Sequence, residues 1–192
     1  SPYGPLDAAT DFELAGQRLA LTGLSARALG VEIAGERVTY ALDTGLAEGT
    51  VAIDAPDLGP LAALAGAPVA GSVEGTLGFR PAGERQDVAL DLAGRGIAAM
   101  GARVARLALE GRLRDALGTP ALAATLDADD ATYEDATVAR IEGRLEADDL
   151  TGAPDATFEV AASDARGFGA GAERLTLKGS LEDAIALARA EA

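Results

Sequence analysis

Residues 106–116 read RLALEGRLRDA, and residues 174–184 read RLTLKGSLEDA, with seven of the eleven positions identical. Related phrases recur at a constant spacing, starting at Val73, Leu107, Ile141 and Leu175. A period of about 34 residues is also typical of helical tetratricopeptide hairpins. Within each phrase, however, apolar and polar residues alternate, which is the period of a β-strand with one buried face. The stretch therefore predicts a β repeat.

A second phrase keeps the same period. Residues 88–92 (VALDL) align with residues 122–126 (LAATL) and with residues 156–160 (ATFEV). Gly, Asp and Pro separate the alternating segments at spacings typical of strands and their turns. Each unit is therefore expected to hold two main strands. Residues 1–192 are expected to form one continuous β-repeat segment, with the period running from about residue 70 to 184.

The N-terminal part shows the alternation less regularly. Turns at Gly16-Gln17 and Gly35-Glu36 are each flanked by alternating apolar residues, which predicts two hairpins. Residues 57–66 (DLGPLAALAG) break the pattern, and their Pro, their apolar spacing and their final Gly predict a short helix capped by Asp57. We expect this helix to close an end or edge of an all-β fold with about ten to thirteen strands of about five to nine residues.

Composition and charge exclude several classes of function. The formal net charge is −15, which opposes nucleic-acid binding, since such binding needs cations to neutralise phosphates. The chain has no His and no Cys, so it lacks the commonest general base and the commonest ligands for transition metals. Serine residues consequently have no His to activate them. We expect no enzymatic activity, no cofactor and no metal site.

The sequence contains no run of 18 apolar residues, so no helical membrane span is predicted. The first residues, SPYGPLDAAT, have no initiator Met, no basic region and no apolar core of a signal peptide. We therefore expect a piece of a longer protein, whose membrane anchor lies outside this segment.

Acidic residues cluster at Asp127, Asp129 and Asp130, followed by Glu134 and Asp135. Closely spaced carboxylates are ligands that Ca²⁺ prefers. The stretch lacks the Gly and the ligand order of an EF-hand loop. A solvated turn between two strands is therefore the simpler interpretation.

An antiparallel sheet with one apolar face has to cover that face with a second sheet, by closing into a barrel, or with something held in a trough. We predict a trough whose floor is formed by Val73, Leu77, Val88, Leu90, Leu92, Leu107, Leu109, Leu113, Leu122, Leu126, Ile141, Leu145, Phe158, Val160, Leu175, Leu177 and Leu181. Four glycines are expected to face inward among them, namely Gly75, Gly111, Gly143 and Gly179. Curvature alone, or curvature together with room for a ligand, would explain glycine at these positions.

Residues 57–77 (DLGPLAALAGAPVAGSVEGTL) and the GRL and GSL phrases after them resemble the repeated β region of the TamB/AsmA-like family of periplasmic bridge proteins. The resemblance covers most of the chain as a pattern and implies a middle slice of a long curved sheet, a β-taco or half-pipe with an apolar groove. It further implies a location in the periplasm of a Gram-negative bacterium, with the full-length protein anchored in the inner membrane.

For function, the resemblance implies a passive conduit that carries phospholipid between the inner and outer membranes, with acyl chains as the ligands. It also implies a role in outer-membrane biogenesis, protein assembly and secretion. An Omp85-type outer-membrane barrel is then the expected partner of other parts of the full protein.

A structural or adhesive β-solenoid is the alternative, with a core filled by its own side chains and no lipid cargo. In that case the Ala and Gly residues would allow the walls of the solenoid to pack closely against each other. An enzyme on a β scaffold is a third class, which the absence of His and Cys disfavours. Whether the purified chain carries lipid distinguishes the first two classes.

Overall fold

The fold is a single open antiparallel sheet in which every strand pairs with its neighbours in the chain. The computed structural model describes residues 6–65, 68–151, 155–167 and 169–181. The elements are β1 (Leu6–Ala15), β2 (Arg18–Ala28), β3 (Val31–Ala41), β4 (Ala47–Ala55), α1 (Gly59–Ala65), β5 (Val69–Ala82), β6 (Arg85–Ala99), β7 (Ala102–Arg114), β8 (Ala121–Tyr133), β9 (Ala136–Asp148), β10 (Asp155–Gly167) and β11 (Ala170–Leu181). The predicted all-β class with one short helix is confirmed.

The repeat unit is a β-hairpin, as the two alternating phrases predict. The four phrase starts fall on alternate strands, β5, β7, β9 and β11. Cross-strand pairing places them in one column of the sheet, with a small residue of the intervening strand between each pair. The column reads Val73, Gly94, Leu107, Ala128, Ile141, Ala162 and Leu175. One repeat period therefore brings the chain to the same position along the strand axis, two strands further across the sheet.

The strands are longer than expected, since they range from 9 to 15 residues. The expected lengths were too short because three residues that resemble turn signals lie inside strands. Gly96, Asp130 and Asp164 have φ values of 59°, 55° and 52° and occupy equivalent positions in successive repeats. Glycine adopts this left-handed conformation freely, and Asp tolerates it better than most residues. The strands β6, β8 and β10 thus continue through a local kink.

The kink also shifts the alternation of side chains. A Cβ built on Gly94 would lie 3.0 Å from Cγ1 of Ile97, although an odd number of positions separates these residues along the strand. The left-handed Gly96 between them brings Ile97 to the face that carries Gly94. One apolar face therefore continues beyond the kink.

Only one of the two predicted N-terminal hairpins forms. Gly16-Gln17 is the turn between β1 and β2, and Gly16 has a φ of 63°. Gly35-Glu36 lies inside β3 instead, where the register against β4 shifts between Ala34 and Val38. The irregularity is taken up as a β-bulge, so the prediction of a hairpin there is wrong.

The helix α1 lies between β4 and β5, as the sequence predicts. Asp57 caps it, since the Gly59 amide donates to Asp57 Oδ1 at 2.8 Å. The Leu58 amide donates to the Gly71 carbonyl at 2.9 Å, and α1 contacts β5. These bonds fasten the helix at one end of the strands. The expected terminal residue Gly66 lies outside the described residues.

The described residues contain no large side chain that is fully buried. The buried apolar residues are Ala20, Leu46, Val51, Ala55, Ala128 and Ala147. Gln86 is the buried polar residue among those described, and its Oε1 accepts a 2.7 Å bond from the Ala47 amide. Its carbonyl also accepts a bond from the Ala116 amide. Gln86 thereby ties the start of β4 and the loop after β7 to β6 at one end of the sheet.

Candidate functional site

The predicted floor residues lie in four columns of the apolar face, and these columns run across the strands. Each cross-strand pair shares a face, so the register alone assigns the members of a column. From β5 to β11 the columns contain all seventeen predicted floor residues. One column crosses all eleven strands and consists of Phe12, Leu21, Val38, Gly49, Phe79, Val88, Leu113, Leu122, Ala147, Ala156 and Leu181.

The floor residues remain accessible to solvent. Thirteen of the seventeen are half-buried, four are exposed and none is buried. Exposure is greatest on β11, where Leu175 and Leu177 are 53% and 62% exposed. A second layer of protein over this face would bury these leucines. The described residues thus leave the apolar face open.

The four columns form a broad apolar patch. They cross the seven strands from β5 to β11, and six gaps at about 4.8 Å give a length of about 29 Å. Four columns spaced two residues apart span about 20 Å along the strands. Their product is about 580 Å², near the upper end of the about 300–600 Å² that the largest apolar patch on a typical monomer covers. Apolar patches of this size are often functional.

The four glycines that were expected to face inward share columns with the floor residues, and large side chains of the neighbouring strand cover them. A Cβ built on Gly111 would lie 3.2 Å from Leu90 Cγ, and one on Gly179 would lie 2.5 Å from Phe158 Cζ. The same test at Gly143 gives 3.4 Å to Leu126 Cβ. The glycines therefore allow close cross-strand contact. They do not by themselves form a cavity for a ligand.

Sequence reasoning missed the small residues that complete the columns. Gly94, Ala128 and Ala162 lie on even-numbered strands, each opposite a large residue on both neighbours. These three positions are themselves related by the repeat period. Aligning the even-numbered strands on that period would have revealed them.

The opposite face of the sheet is charged and held by ion pairs. Arg140 lies 2.6 Å from Asp127, 3.7 Å from Asp129 and 3.0 Å from Glu142. Its hydrogen bond to Glu142, together with the nearby carboxylates, raises the pKa of Arg140 above its ordinary value. Arg106 shares Asp129 at 3.3 Å. The charged face is therefore the solvated face of the sheet.

These contacts correct the interpretation of the acidic cluster as a turn. Asp127, Asp129 and Asp130 lie inside β8, and Asp130 is one of the kink residues. Glu134 and Asp135 do occupy the turn after β8, where Glu134 has a φ of 50°. Within the described ranges no group of three or more potential ligands is arranged to hold a metal ion.

An open depression of about 780 Å³ lies on the charged face. Its lining includes Ala89, Glu110, Arg112, Ala123 and Glu146. The small residues are on β6 and β8, and the long charged side chains on the adjacent strands β7 and β9 project above them. The depression is the second place on the sheet where a ligand could lie.

No helix among the described residues is long and apolar enough to cross a membrane. Comparison of the chain with protein-family models, with curated proteins and with solved structures gave no match.

Proposed function

We propose that the apolar face binds the acyl chains of phospholipid and that the chain is a segment of a passive lipid conduit. The open apolar face is the observation that carries this proposal, because seventeen aligned floor residues all stay half-buried or exposed. Acyl chains are flexible, apolar and long enough to follow such a surface. Head groups would remain in water beside it.

Binding on this face would be distributed over many residues. Each methylene removed from water contributes about 0.8 kcal/mol. No single leucine is then essential, and lipid can slide from one column to the next without breaking a specific polar contact. An unpaired charge on the floor would be costly to desolvate and would interrupt the path.

The resemblance to the TamB/AsmA-like family supports the same proposal and extends it. The segment would belong to a bridge across the periplasm of a Gram-negative bacterium, anchored in the inner membrane through another part of the protein. It would curve into a half-pipe and act in lipid transport and outer-membrane biogenesis. An Omp85-type barrel would meet the full protein elsewhere, and the role would be non-enzymatic.

A self-filled structural or adhesive repeat is the alternative function. It would require the floor leucines to pack against another wall of the same chain. The antiparallel order of the strands and the exposure of Leu175 and Leu177 favour an open face over such a core.

Charge substitutions on the two faces test the proposal. Leu90→Asp and Leu109→Arg place charges on the floor, whereas Ala89→Asp and Ala108→Arg place the same charges on the exposed opposite face. We expect the floor variants to lose co-purifying phospholipid and binding of a fluorescent phospholipid, and the controls to retain both. Unfolding in urea checks that each variant is folded. Full lipid binding by a folded double floor variant would refute the proposal.

A further inference from the structure

The depression on the charged face lies in the interior of the sheet. Its lining residues belong to β6, β7, β8 and β9, and β5 and β10 pair with the outer two of these four strands. Along its middle runs β8, whose Ala123 and Thr125 contribute only short side chains. The longer side chains of β7 and β9 stand on both sides, so the volume of about 780 Å³ is open above β8.

Four charged side chains surround these short ones, and their signs alternate. They are Glu110 and Arg112 on β7, and Arg144 and Glu146 on β9. The register places Arg112 and Glu146 on either side of Ala123. It places Glu110 and Arg144 on either side of Thr125. The four Cα atoms thus form a rectangle of about 10 Å by about 7 Å, in which like charges occupy diagonal corners.

None of these four side chains makes an ion pair or a hydrogen bond with the described residues, although charges elsewhere on this face are paired. Asp127 and Glu142 lie directly opposite each other, and Arg140 lies 2.6 Å from the first and 3.0 Å from the second. Asp91 and Glu110 also lie directly opposite each other, but no cation of the described residues joins them. Because like charges in this arrangement repel, a cation from outside the chain would stabilise them.

We propose that this depression binds a small soluble zwitterion that carries a phosphate group and an amine. The guanidinium groups of Arg112 and Arg144 donate to the phosphate oxygens, since guanidinium presents paired N–H donors that match a phosphate. The ammonium group lies beside the carboxylates of Asp91 and Glu110. A ligand that carries both charges avoids the repulsion that the net charge of −15 imposes on a simple anion.

The charged face also decides between a soluble ligand and a lipid. The side chains that line the depression from this face are charged or small, so an acyl chain would find little apolar surface there. The binding therefore does not depend on the lipid binding proposed for the apolar face.

Titration of the whole chain with glycerophosphoethanolamine, followed by the NMR shifts of the backbone amides, tests the proposal. Inorganic phosphate and ethanolamine, each carrying one of the two charged groups, are the comparison ligands. We expect the zwitterion to bind more tightly than either of them. The shifted amides should cluster on β7, β8 and β9 around the four charged corners.

Three variants assign the binding to particular side chains. Arg112→Gln should weaken binding of glycerophosphoethanolamine about five-fold, as expected for an exposed ion pair of up to about 1 kcal/mol. Arg103→Gln removes the same charge from the same strand outside the depression and should leave binding unchanged. Glu110→Gln should weaken binding of the zwitterion but strengthen binding of inorganic phosphate, because it removes a carboxylate that attracts the amine and repels the anion.

Four results would overturn the proposal. The first is the absence of amide shifts in the depression on addition of glycerophosphoethanolamine. The second is binding of inorganic phosphate as tight as that of the zwitterion, and the third is an equal loss of binding in Arg103→Gln and Arg112→Gln. The fourth is binding of vesicles that contain phosphatidylethanolamine, if it competes with the soluble probe and is lost in Arg112→Gln, because the ligand would then be a lipid head group.

Discussion

Gly75 and Gly143 occupy equivalent positions in one apolar column, and the structure predicts opposite effects of adding a methyl group to each. Both lie opposite a leucine of an adjacent strand: Gly75 opposite Leu92 on the following strand, and Gly143 opposite Leu126 on the preceding strand. Neither has a left-handed φ. The two sites therefore differ in the space that is available for a Cβ atom, and neither has a backbone conformation that excludes alanine.

At Gly143 a Cβ would lie 3.4 Å from Leu126 Cβ, which is ordinary van der Waals contact. Replacing glycine by alanine in a strand interior then stabilises the fold by about 0.5–1 kcal/mol, because the unfolded chain loses freedom. At Gly75 a Cβ would overlap the Asp91 carbonyl oxygen and lie 2.8 Å from Leu92 Cα. These are main-chain atoms that cannot rotate away, so Gly75→Ala should cost about 1–3 kcal/mol, as overpacking does.

The two predictions combine to a difference of about 1.5–4 kcal/mol between the variants. Urea unfolding followed by circular dichroism measures it, provided that the slope of the transition is the same for both. We expect the midpoint to rise for Gly143→Ala and to fall for Gly75→Ala. Shifts of the same sign would refute the reasoning, because the space above each glycine would then not decide the outcome.

Three further predictions concern the kink, the buried amide and the charged face. Asp130→Gly should leave the melting temperature unchanged or raise it, whereas Asp130→Val should cost about 1–2 kcal/mol, since a β-branched residue resists a left-handed φ. Gln86→Leu leaves the Ala47 amide without its partner and should cost about 1–3 kcal/mol in urea unfolding. Arg140→Gln should shift the midpoint less than Gln86→Leu does, and any shift should shrink at high salt, because these ion pairs are exposed and screened. A large, salt-independent loss of stability in Arg140→Gln would contradict the last prediction.

The apolar face could be predicted from sequence because two periods coincide. Alternation within each strand assigns residues such as Leu107 and Leu109 to one face. The longer repeat period then places Leu107 and Ile141 at one height, since each unit is a complete hairpin. The seventeen floor residues follow from these two regularities, and all of them fall in the four columns.

The lengths and irregularities of the strands could not be predicted in the same way. Asp130 and Gly96 are residue types that are common in turns, yet the strands on either side keep them inside continuous strands. Gly35 likewise forms part of a bulge, because β4 continues to pair on both sides of it. Local sequence signals a left-handed or flexible position, and the tertiary pairing decides whether the chain turns there or continues.

The role of the inward glycines also depends on cross-strand neighbours. Glycine at position 111 or 179 is compatible with an empty space or with a filled one, and the sequence alone leaves both open. The structure places Leu90 against Gly111 and Phe158 against Gly179. Which side chain covers a glycine is a property of the register, and the register emerges only when both strands are placed.

The most direct test of the acyl-chain proposal is site-specific photo-crosslinking to phospholipid, with the reactive side chain at Leu90 and, separately, at its neighbour Ala89. Leu90 lies in a column of the apolar face, whereas its neighbour Ala89 is exposed on the opposite, charged face. We predict labelled lipid at Leu90 and none at Ala89. Labelling at Ala89 but not at Leu90 would move the binding site to the charged depression, and the absence of labelling at both positions would contradict the lipid conduit.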